Sequence, residues 1–375
     1  MKTVLLLGQS NELRDAIVRR GHDVVVMDAD TLQPLQLCDQ LVALHTTVKF
    51  EAIVPACEAA RIPASMAAAK LALRAPALTT VLNATDRGRM RTILHSAGMS
   101  QLLFRKCATL GEAAEFLLGN GGPIAIYDAD GVAHRVATSS DLRTVWQQVA
   151  GRAGVICEEW VDGTRVTVEG FTANGVFTGA AVTGHTPNGA HQPAVGVSPY
   201  LRDSLFAMTA RIVALFGTAN GVSHTTYKLT DRGPIFLDSV THADRFVGAL
   251  TRLTSGIDLA DAAVALALGE PIAAKPAWNS AAAVRFVHAT PGIVTYVDVP
   301  EVDPEAGIAE AAAFVAEGEI VEAGKLAYVI ATDARAEHAM RRAKAFAHAI
   351  EILIEEMHEE MHEEMEEGSC VAIAS

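Results

Sequence analysis

The stretch GVSHTTYKLTDRGPIFLDSV, from Gly221 to Val240, predicts two β-strands joined by a turn at Asp231-Arg232-Gly233. The second strand delivers a carboxylate, Asp238, to its end, where the chain continues into polar residues. A carboxylate in this position can bind a metal ion or cap the following turn, and the sequence leaves both roles open. Two histidines flank the hairpin, His224 and His242, and each fits either a partly buried histidine or a ligand.

The first 85 residues alternate short apolar runs with helical patterns. KTVLLLG predicts a strand, NELRDAIVRRG a helix, and HDVVVMDAD and FEAIVPA two more strands. Parallel strands joined by crossover helices wind right-handed, so we expect a Rossmann-like, doubly wound domain. Gly8 is a single glycine where a dinucleotide-binding fingerprint needs three, and we do not expect a nucleotide there.

Beyond residue 85 the pattern changes to hairpins and meanders. TDRGRMRTILHSAGM predicts a capped basic helix, PIAIYDADGVAHRVA two short strands, and the segment around Asn174-Gly175 a strand turn. SLFAMTARIVALFGTANG predicts an amphipathic helix, and AEHAMRRAKAFAHAIEILIEEM a closing helix. An acidic tail of Met-His-Glu-Glu repeats follows, in which His358 and His362 could hold a metal or simply belong to a solvated extension.

Composition limits the classes of partner. The net charge of -14 over 375 residues argues against nucleic acid, whose phosphates require clustered Lys and Arg. No apolar run reaches the length of a membrane span, so no membrane partner is expected. Five scattered cysteines without a CxxC pair indicate a reduced compartment, and we expect a cytoplasmic protein with Cys157 in its core.

The order of these elements resembles the ATP-grasp superfamily, and within it the carboxylate-amine ligases such as L-amino acid ligases. The similarity lies in TDRGRMRTILHSAGM for the family's Asp-Lys-x-x-x-Arg helix, in the hinge segment ICEEWVDGT, and in the hairpin GVSHTTYKLTDRGPIFLDSV. It implies an α/β ATP-grasp fold with an N-terminal Rossmann-like (pre-ATP-grasp) domain. The implied boundaries are 1–85 for that domain, 86–155 for a small hinged subdomain, 156–352 for a large lobe and 353–375 for the acidic tail.

Enzymes of this family use ATP and Mg²⁺ to phosphorylate a carboxylate, which an amine then attacks. The resemblance therefore implies ATP and magnesium as cofactors and a small carboxylate, amino acid or peptide as substrate. It places cofactor-binding positions on Arg87, Tyr127, Glu158, Glu159, Trp160, Val161 and Arg165, a metal position on Asp238, and candidate catalytic positions on Lys228 and His242.

Several of these positions depart from the family pattern. Arg87 keeps the positive charge of a phosphate-binding lysine, whereas Tyr127 replaces a second such lysine with a neutral phenol. Arg165 stands where a ribose-binding glutamate is expected, and Thr226 and Val240 stand where the family has a metal carboxylate and an asparagine. His242 takes the place of the arginine that usually follows.

The segment after Gly131 is also too short, and has too few glycines, to form the family's phosphate lid. Losses in separate segments predict a degenerate active site. One hypothesis is that Arg165, Lys228 and Arg87 converge on one cleft, which then binds an anionic ligand without a metal ion. The alternative is that Arg165 and Lys228 are ordinary surface charges.

Three functions remain open at this point. The first is a degenerate, non-catalytic ATP-grasp homologue that serves as a ligand-binding or accessory subunit in amino-acid or peptide-related biosynthesis. The second is an active ligase that forms an amide or peptide bond through an acyl phosphate. The third is an interaction protein that binds a protein partner through its acidic tail. A homodimer is compatible with each of them, and AHQPAVGVSPY, from His191 to Tyr200, is either a substrate loop or a polar connection.

Overall fold

The computed structural model describes residues 1–29, 33–100, 102–127, 132–149, 154–241, 245–272 and 275–355. The fold is mixed α/β, as predicted. The chain divides into a first unit of Met1–Val182, Val197–Gly248 and Ile257–Pro276, and a second unit of Thr183–Gly196, Ala249–Gly256 and Ala277–Ser375. The domain boundaries inferred from the resemblance stay predictions.

The N-terminal part of the first unit has the predicted strand and helix alternation. Its elements are β1 (Thr3–Leu7), α1 (Asn11–Arg19), β2 (Asp23–Met27), α2 (Pro34–Thr47), β3 (Ala52–Pro55), α3 (Glu58–Leu71) and α4 (Leu78–Thr85). The three strands form a parallel sheet in the order β2-β1-β3. In β1, Val4 and Leu6 pack into one apolar cluster while Leu5 and Leu7 pack into another. Both faces of the sheet are therefore covered, as parallel sheets require.

A small antiparallel sheet follows in the first unit. Its elements are α5 (Arg87–Ser96), β4 (Phe104–Cys107), α6 (Leu110–Asn120), β5 (Ile124–Tyr127), β6 (Ala133–Val136), α7 (Ser139–Val149) and β7 (Val155–Glu159). The strand order is β4-β7-β5-β6. Asp86 caps α5 by accepting a hydrogen bond from the Arg89 N–H, as the sequence predicts. Cys157 is 0% exposed in the core of this sheet, which confirms its predicted burial.

The rest of the first unit contains the hairpin predicted for Gly221 to Val240. Its elements are β8 (Thr164–Ala173), β9 (Val176–Thr186), α8 (Pro199–Leu215), β11 (Gly221–Thr230), β12 (Gly233–Val240), α9 (Arg245–Ser255) and α10 (Leu259–Leu268), with β10 (Gly189–Gln192) lying between β9 and α8 in the chain. Here the strands run in the order β12-β11-β8-β9. Asn174 and Gly175 both have positive φ, of 50° and 79°, which produces the tight turn between β8 and β9.

The second unit begins within β9 and is built mainly from the C-terminal region. Its further elements are β13 (Ala281–Ala289), β14 (Gly292–Asp298), β15 (Ile308–Ala313), β16 (Ile320–Val321), β17 (Gly324–Asp333), α11 (Ala336–Ala347) and β18 (Glu351–Glu355). Its strands pair in the order β9-β10-β13-β17-β15, and a separate three-stranded sheet has the order β16-β14-β18. Helix α11 packs its buried Ala343 against Val329 and Ala331 of β17.

The predicted closing helix is wrong at its C-terminal end. Helix α11 stops at Ala347, and residues Glu351–Glu355 form β18, which pairs antiparallel with β14. Along this strand Ile352 and Ile354 are partly buried while Glu351, Leu353 and Glu355 are exposed, which is the alternation of a strand with one covered face. None of the helices in the described part of the chain is long and apolar enough to cross a bilayer.

Candidate functional site

Helix α5 directs two arginines to one buried carboxylate. Arg87 and Arg91 are four residues apart and so lie on the same face of the helix. Arg91 donates from Nε to Glu158 Oε1 at 2.7 Å and from Nη2 to Glu158 Oε2 at 2.9 Å. Arg91 and Glu158 are each about 1% exposed. Arg91 also donates to the carbonyl oxygens of Phe236, at 3.2 Å, and Leu237, at 2.6 Å, so it satisfies groups on both β7 and β12.

Arg87 completes a cluster with residues from three further elements. Its guanidinium carbon lies 3.6 Å from the centre of the Tyr127 ring, and its Nη1 donates to Glu158 Oε2 at 3.2 Å. Its Nη2 is 3.7 Å from Asp238 Oδ2. The phenol of Tyr127 donates to Glu158 Oε2 at 3.1 Å. We call Arg87, Arg91, Tyr127, Glu158 and Asp238 the arginine cluster.

The arginine cluster holds equal numbers of positive and negative side chains, and the shifts in their pKa values favour the charged forms of Glu158 and Arg87. Burial alone would raise the pKa of Glu158, but the charges and hydrogen bonds of Arg91 and Arg87 lower it below its ordinary value. Burial works against the charge of Arg87, yet its attraction to Glu158, Tyr127 and Asp238 raises its pKa. Burial first, and the Glu158 charge second, raise the pKa of Tyr127 well above its usual value. At neutral pH the cluster therefore contains two cations, two anions and a neutral phenol.

Asp238 faces a hydroxyl rather than a second carboxylate. Its cross-strand partner on β11 is Thr226, which is 2% exposed. Val240 lies opposite His224, whose Nδ1 is 2.7 Å from the Oε2 of buried Glu169. His224 is thus held by a carboxylate inside the sheet. His242, the candidate catalytic histidine, lies outside the described residues.

In the hinge segment, Glu158 to Val161, most of the backbone and side-chain polar groups bond to other residues of the protein. Glu159 donates from its backbone N–H to Leu103, at 2.8 Å, and its side chain pairs with Arg232 at 2.6 Å. Trp160 donates from its backbone to Pro123 at 3.0 Å. Val161 is 8% exposed, and no described residue accepts a hydrogen bond from its N–H. Within the described part of the hinge, that N–H is therefore a backbone donor without an acceptor.

Arg165 and Lys228 do not join the arginine cluster. They face each other across β8 and β11, with Arg165 exposed, and Lys228 donates to the carbonyl oxygen of Gly163 at 3.0 Å. Among the described residues, no hydrogen bond or ion pair joins either side chain to Arg87. Arg165 therefore has the placement of a surface charge, and the hypothesis that these three cations converge finds no support.

Comparisons with known proteins bear on the fold. No protein-family model matches the sequence, and no curated protein matches it. Solved structures do match. An L-amino acid ligase from Bacillus licheniformis has a TM-score of 0.83 at 15% identity, over 95% of this chain and 99% of that one. A carboxyaminoimidazole ribonucleotide synthase from Aspergillus clavatus, complexed with ATP, has a TM-score of 0.75 at 15% identity, over 92% and 97%.

A third structure is the biotin carboxylase domain dimer of the 2-oxoglutarate carboxylase from Hydrogenobacter thermophilus, in complex with MgADP, ADP and bicarbonate. It has a TM-score of 0.77 at 14% identity, over 94% of this chain and 91% of that one. The chain has the ATP-grasp fold. The resemblance seen in the sequence is thus confirmed for the fold.

The described residues around Asp238 do not fit the two-magnesium site that the ATP-grasp resemblance implies. Mg²⁺ requires several oxygen ligands in octahedral geometry. Thr226 offers a hydroxyl and Val240 no ligand atom, while Asp238 already lies beside Arg87. In the part of the chain that the structure describes, no group of three or more His, Cys, Asp or Glu side chains is arranged to hold a metal ion.

The ATP-grasp positions for nucleotide fit only in part. The Val161 N–H, which has no acceptor among the described residues, suits the edge of a nucleobase. Of the two positions where phosphate-binding cations are expected, one holds the phenol Tyr127, and the other holds Arg87, which is paired with carboxylates. Sequence reasoning missed Arg91 and the role of the Glu158 side chain. The signal for Arg91 was present, because it lies four residues from Arg87 on one helical face. The buried acid that both arginines would need could not be read from local spacing.

Proposed function

We propose that this ATP-grasp protein does not activate carboxylates with Mg-ATP and serves instead as a ligand-binding or accessory subunit in amino-acid or peptide-related biosynthesis. One observation carries the proposal: the Arg87 guanidinium lies between Tyr127, Glu158 and Asp238. The cation that would bind phosphate and the anion that would bind magnesium contact each other.

The energetics favour this internal pairing over a triphosphate. For Arg87 to reach a phosphate, it would have to exchange its contacts with Glu158, Tyr127 and Asp238 for that ligand, and the loss of these contacts would offset part of the binding free energy. Asp238 would likewise exchange Arg87 for Mg²⁺, with Thr226 and Val240 unable to complete the coordination. A ligand that enters beside Val161 without requiring metal avoids both costs.

Calorimetric titration of ATP into the purified protein, with and without Mg²⁺, tests the proposal. The matched variant is Asp238→Ala, and Asp231→Ala, in the turn of the same hairpin, controls for the loss of a carboxylate. We expect binding that is absent or that is the same with and without magnesium in all three proteins. Tight binding that needs both Mg²⁺ and Asp238, and survives Asp231→Ala, would overturn the proposal.

A second candidate is an active carboxylate-amine ligase. It is favoured by the structural match over 99% of an L-amino acid ligase chain and by the presence of Arg87 and Asp238 at cofactor positions. In this reading, Arg87 moves to the phosphates when ATP binds. Release of inorganic phosphate from ATP in the presence of amino-acid mixtures, abolished by Asp238→Ala, would establish it. No phosphate release above a protein-free control would exclude it for those substrates.

The third function, an interaction through the acidic tail, rests on residues 356–375, which lie outside the described residues. A variant ending at Glu355 tests it directly. If the tail binds a protein partner, the full chain should retain from an extract of the source cell a protein that the truncated chain does not retain. If both chains retain the same proteins, the tail is not the binding segment. Cytoplasmic location and a homodimer stay predictions.

A further inference from the structure

A cavity of about 520 Å³ is formed entirely by residues of the second unit. Most of its lining comes from strands β10 and β13 and helix α11, with further residues from the end of β9, the loop after β10 and the residue before α11. A cavity of this size is within the range of small-molecule sites. Part of the lining is apolar, from Val195, Val284 and Met340, so the cavity offers surface to the body of a ligand as well as charge.

The charged side chains of this cavity are mostly cationic. Arg285, Arg335, Arg341 and Lys344 line it together with one carboxylate, Glu337, which is 4.0 Å from Arg335. Among the described residues, Arg285, Arg341 and Lys344 have no ion-pair partner. The cavity wall therefore carries more positive than negative side chains, although the whole chain has a net charge of -14. Guanidinium groups suit carboxylates and phosphates because they can donate two parallel hydrogen bonds.

A buried histidine supplies an independent observation. His191 lines the cavity and is only 6% exposed. Its Nε2 accepts a hydrogen bond from the Val195 N–H at 3.2 Å, so the neutral ring carries its proton on Nδ1. That Nδ1 is buried and has no partner among the described residues. Buried donors are rarely left unpaired, so the wall of the cavity carries an unsatisfied polar group.

The backbone around this ring is adapted to hold it. Gly184 lies opposite His191 on β9, and a Cβ at Gly184 would come within 2.4 Å of the His191 Nε2. Only glycine leaves room for the imidazole in this position. The ring is therefore seated in a defined place beside the cavity.

We infer that this cavity is a second binding site of the protein, for a small organic anion that carries a carboxylate or phosphate group on an apolar body. The cations of α11 and β13 bind the anionic group, and the apolar lining contacts the body. The inference does not rest on the function proposed above, because no residue of the arginine cluster takes part in it.

Calorimetric titration of the full-length protein with phenyl phosphate and with benzoate tests the inference, at a fixed 0.15 M salt chosen to screen weak surface binding. Inorganic phosphate and benzyl alcohol separate the contribution of the anion from that of the apolar body. The informative variants are Arg341→Gln and Lys344→Gln, whose side chains are exposed, so folding should be unaffected. The matched control is Arg342→Gln, since Arg342 neighbours Arg341 but pairs with Asp333 at 2.8 Å.

We expect at least one of the two aromatic anions to bind, with an affinity reduced about tenfold or more by Arg341→Gln and unchanged by Arg342→Gln. Comparison of phenyl phosphate with benzoate then distinguishes the phosphate from the carboxylate. Absence of binding by both anions up to 10 mM, a concentration that would fill even a weak site with a Kd of about 1 mM, would overturn the inference. Equal weakening by Arg341→Gln and Arg342→Gln would overturn it as well, because the site would then be a diffuse charge effect.

Discussion

Arg91 and Glu158 form a bidentate ion pair from which water is excluded, with N···O distances of 2.7 and 2.9 Å. The pair joins helix α5 to strand β7, and the bonds of Arg91 to Phe236 and Leu237 extend it to β12. A buried pair of this kind adds little net stability compared with apolar residues, but breaking it leaves a charge without a partner. The role of the pair is therefore to fix the positions of α5, β7 and β12 relative to one another.

Glu158→Gln should destabilise the protein by about 3–5 kcal/mol, because two buried arginines would face a neutral amide. Urea denaturation at pH 7 measures the free energy of unfolding. The control is Glu159→Gln, which breaks a pair with the largely exposed Arg232 and should cost about 1 kcal/mol or less. Similar losses in the two variants would contradict the role given to Glu158.

Tyr127→Phe should cost about 1.5–3 kcal/mol, because it removes a hydrogen bond to a charged, buried carboxylate and keeps the ring beneath Arg87. The same denaturation experiment applies. The double variant with Glu158→Gln should cost less than the sum of the two single changes, since the bond is lost only once. Simple additivity would show that the phenol and the carboxylate do not interact.

The stability of the protein should fall as pH decreases below about 6.5 through the protonation of His191. Burial lowers the pKa of His191 in the folded state, while the nearby charge of Glu337 opposes this in part. As pH falls, His191 therefore takes up its proton at a higher pH in the unfolded chain than in the folded protein. The stabilisation that the neutral folded ring provides is complete above the unfolded pKa and is lost as pH falls below it. The slope is at most about 1.4 kcal/mol per pH unit for one group. His191→Gln should lose this part of the pH dependence, and identical profiles for the two proteins would be evidence against it.

Restoring the missing ligands should create a dependence on magnesium. The variant Thr226→Glu, Val240→Asn, Arg87→Lys supplies a second carboxylate and an amide, and it removes the fork-shaped partner of Asp238. We expect ATP to bind at least tenfold more tightly with Mg²⁺ than without it, measured by calorimetry. The control carries Thr226→Gln in place of Thr226→Glu and should show no such difference. A triple variant that folds but ignores Mg²⁺ would mean that the metal positions are misassigned.

The fold was largely predictable because its signals are local. The apolar runs of β1 to β3, the cap at Asp86 and the turn at Asn174-Gly175 each follow from a few neighbouring residues. The error at Glu351–Glu355 has the opposite origin. Its helical periodicity continues that of α11, and only pairing with the distant β14 makes it a strand.

The candidate site was predictable in part. Arg87, Tyr127, Glu158 and Asp238 were identified one by one from a resemblance, and the structure brings them together. Their mutual pairing depends on separations of 31 (Tyr127–Glu158) to 151 residues (Arg87–Asp238) along the chain, which local spacing cannot reveal. The cavity beside His191 likewise forms where β10, β13 and α11 come together. These elements are far apart in the chain, with β10 ending at Gln192 and α11 beginning at Ala336.

The segment Ala249–Gly256 has a consequence for how the polypeptide can be divided. Thr251 and Thr254 of α9 hydrogen-bond to Gln192, which also bonds to Thr183, all within the second unit. That unit thus draws on three separate stretches of the chain, and one of them is the C-terminal half of a helix whose first residues belong to the first unit. No single cut in the gene yields either unit whole, so neither unit can be expressed as one continuous fragment of the polypeptide.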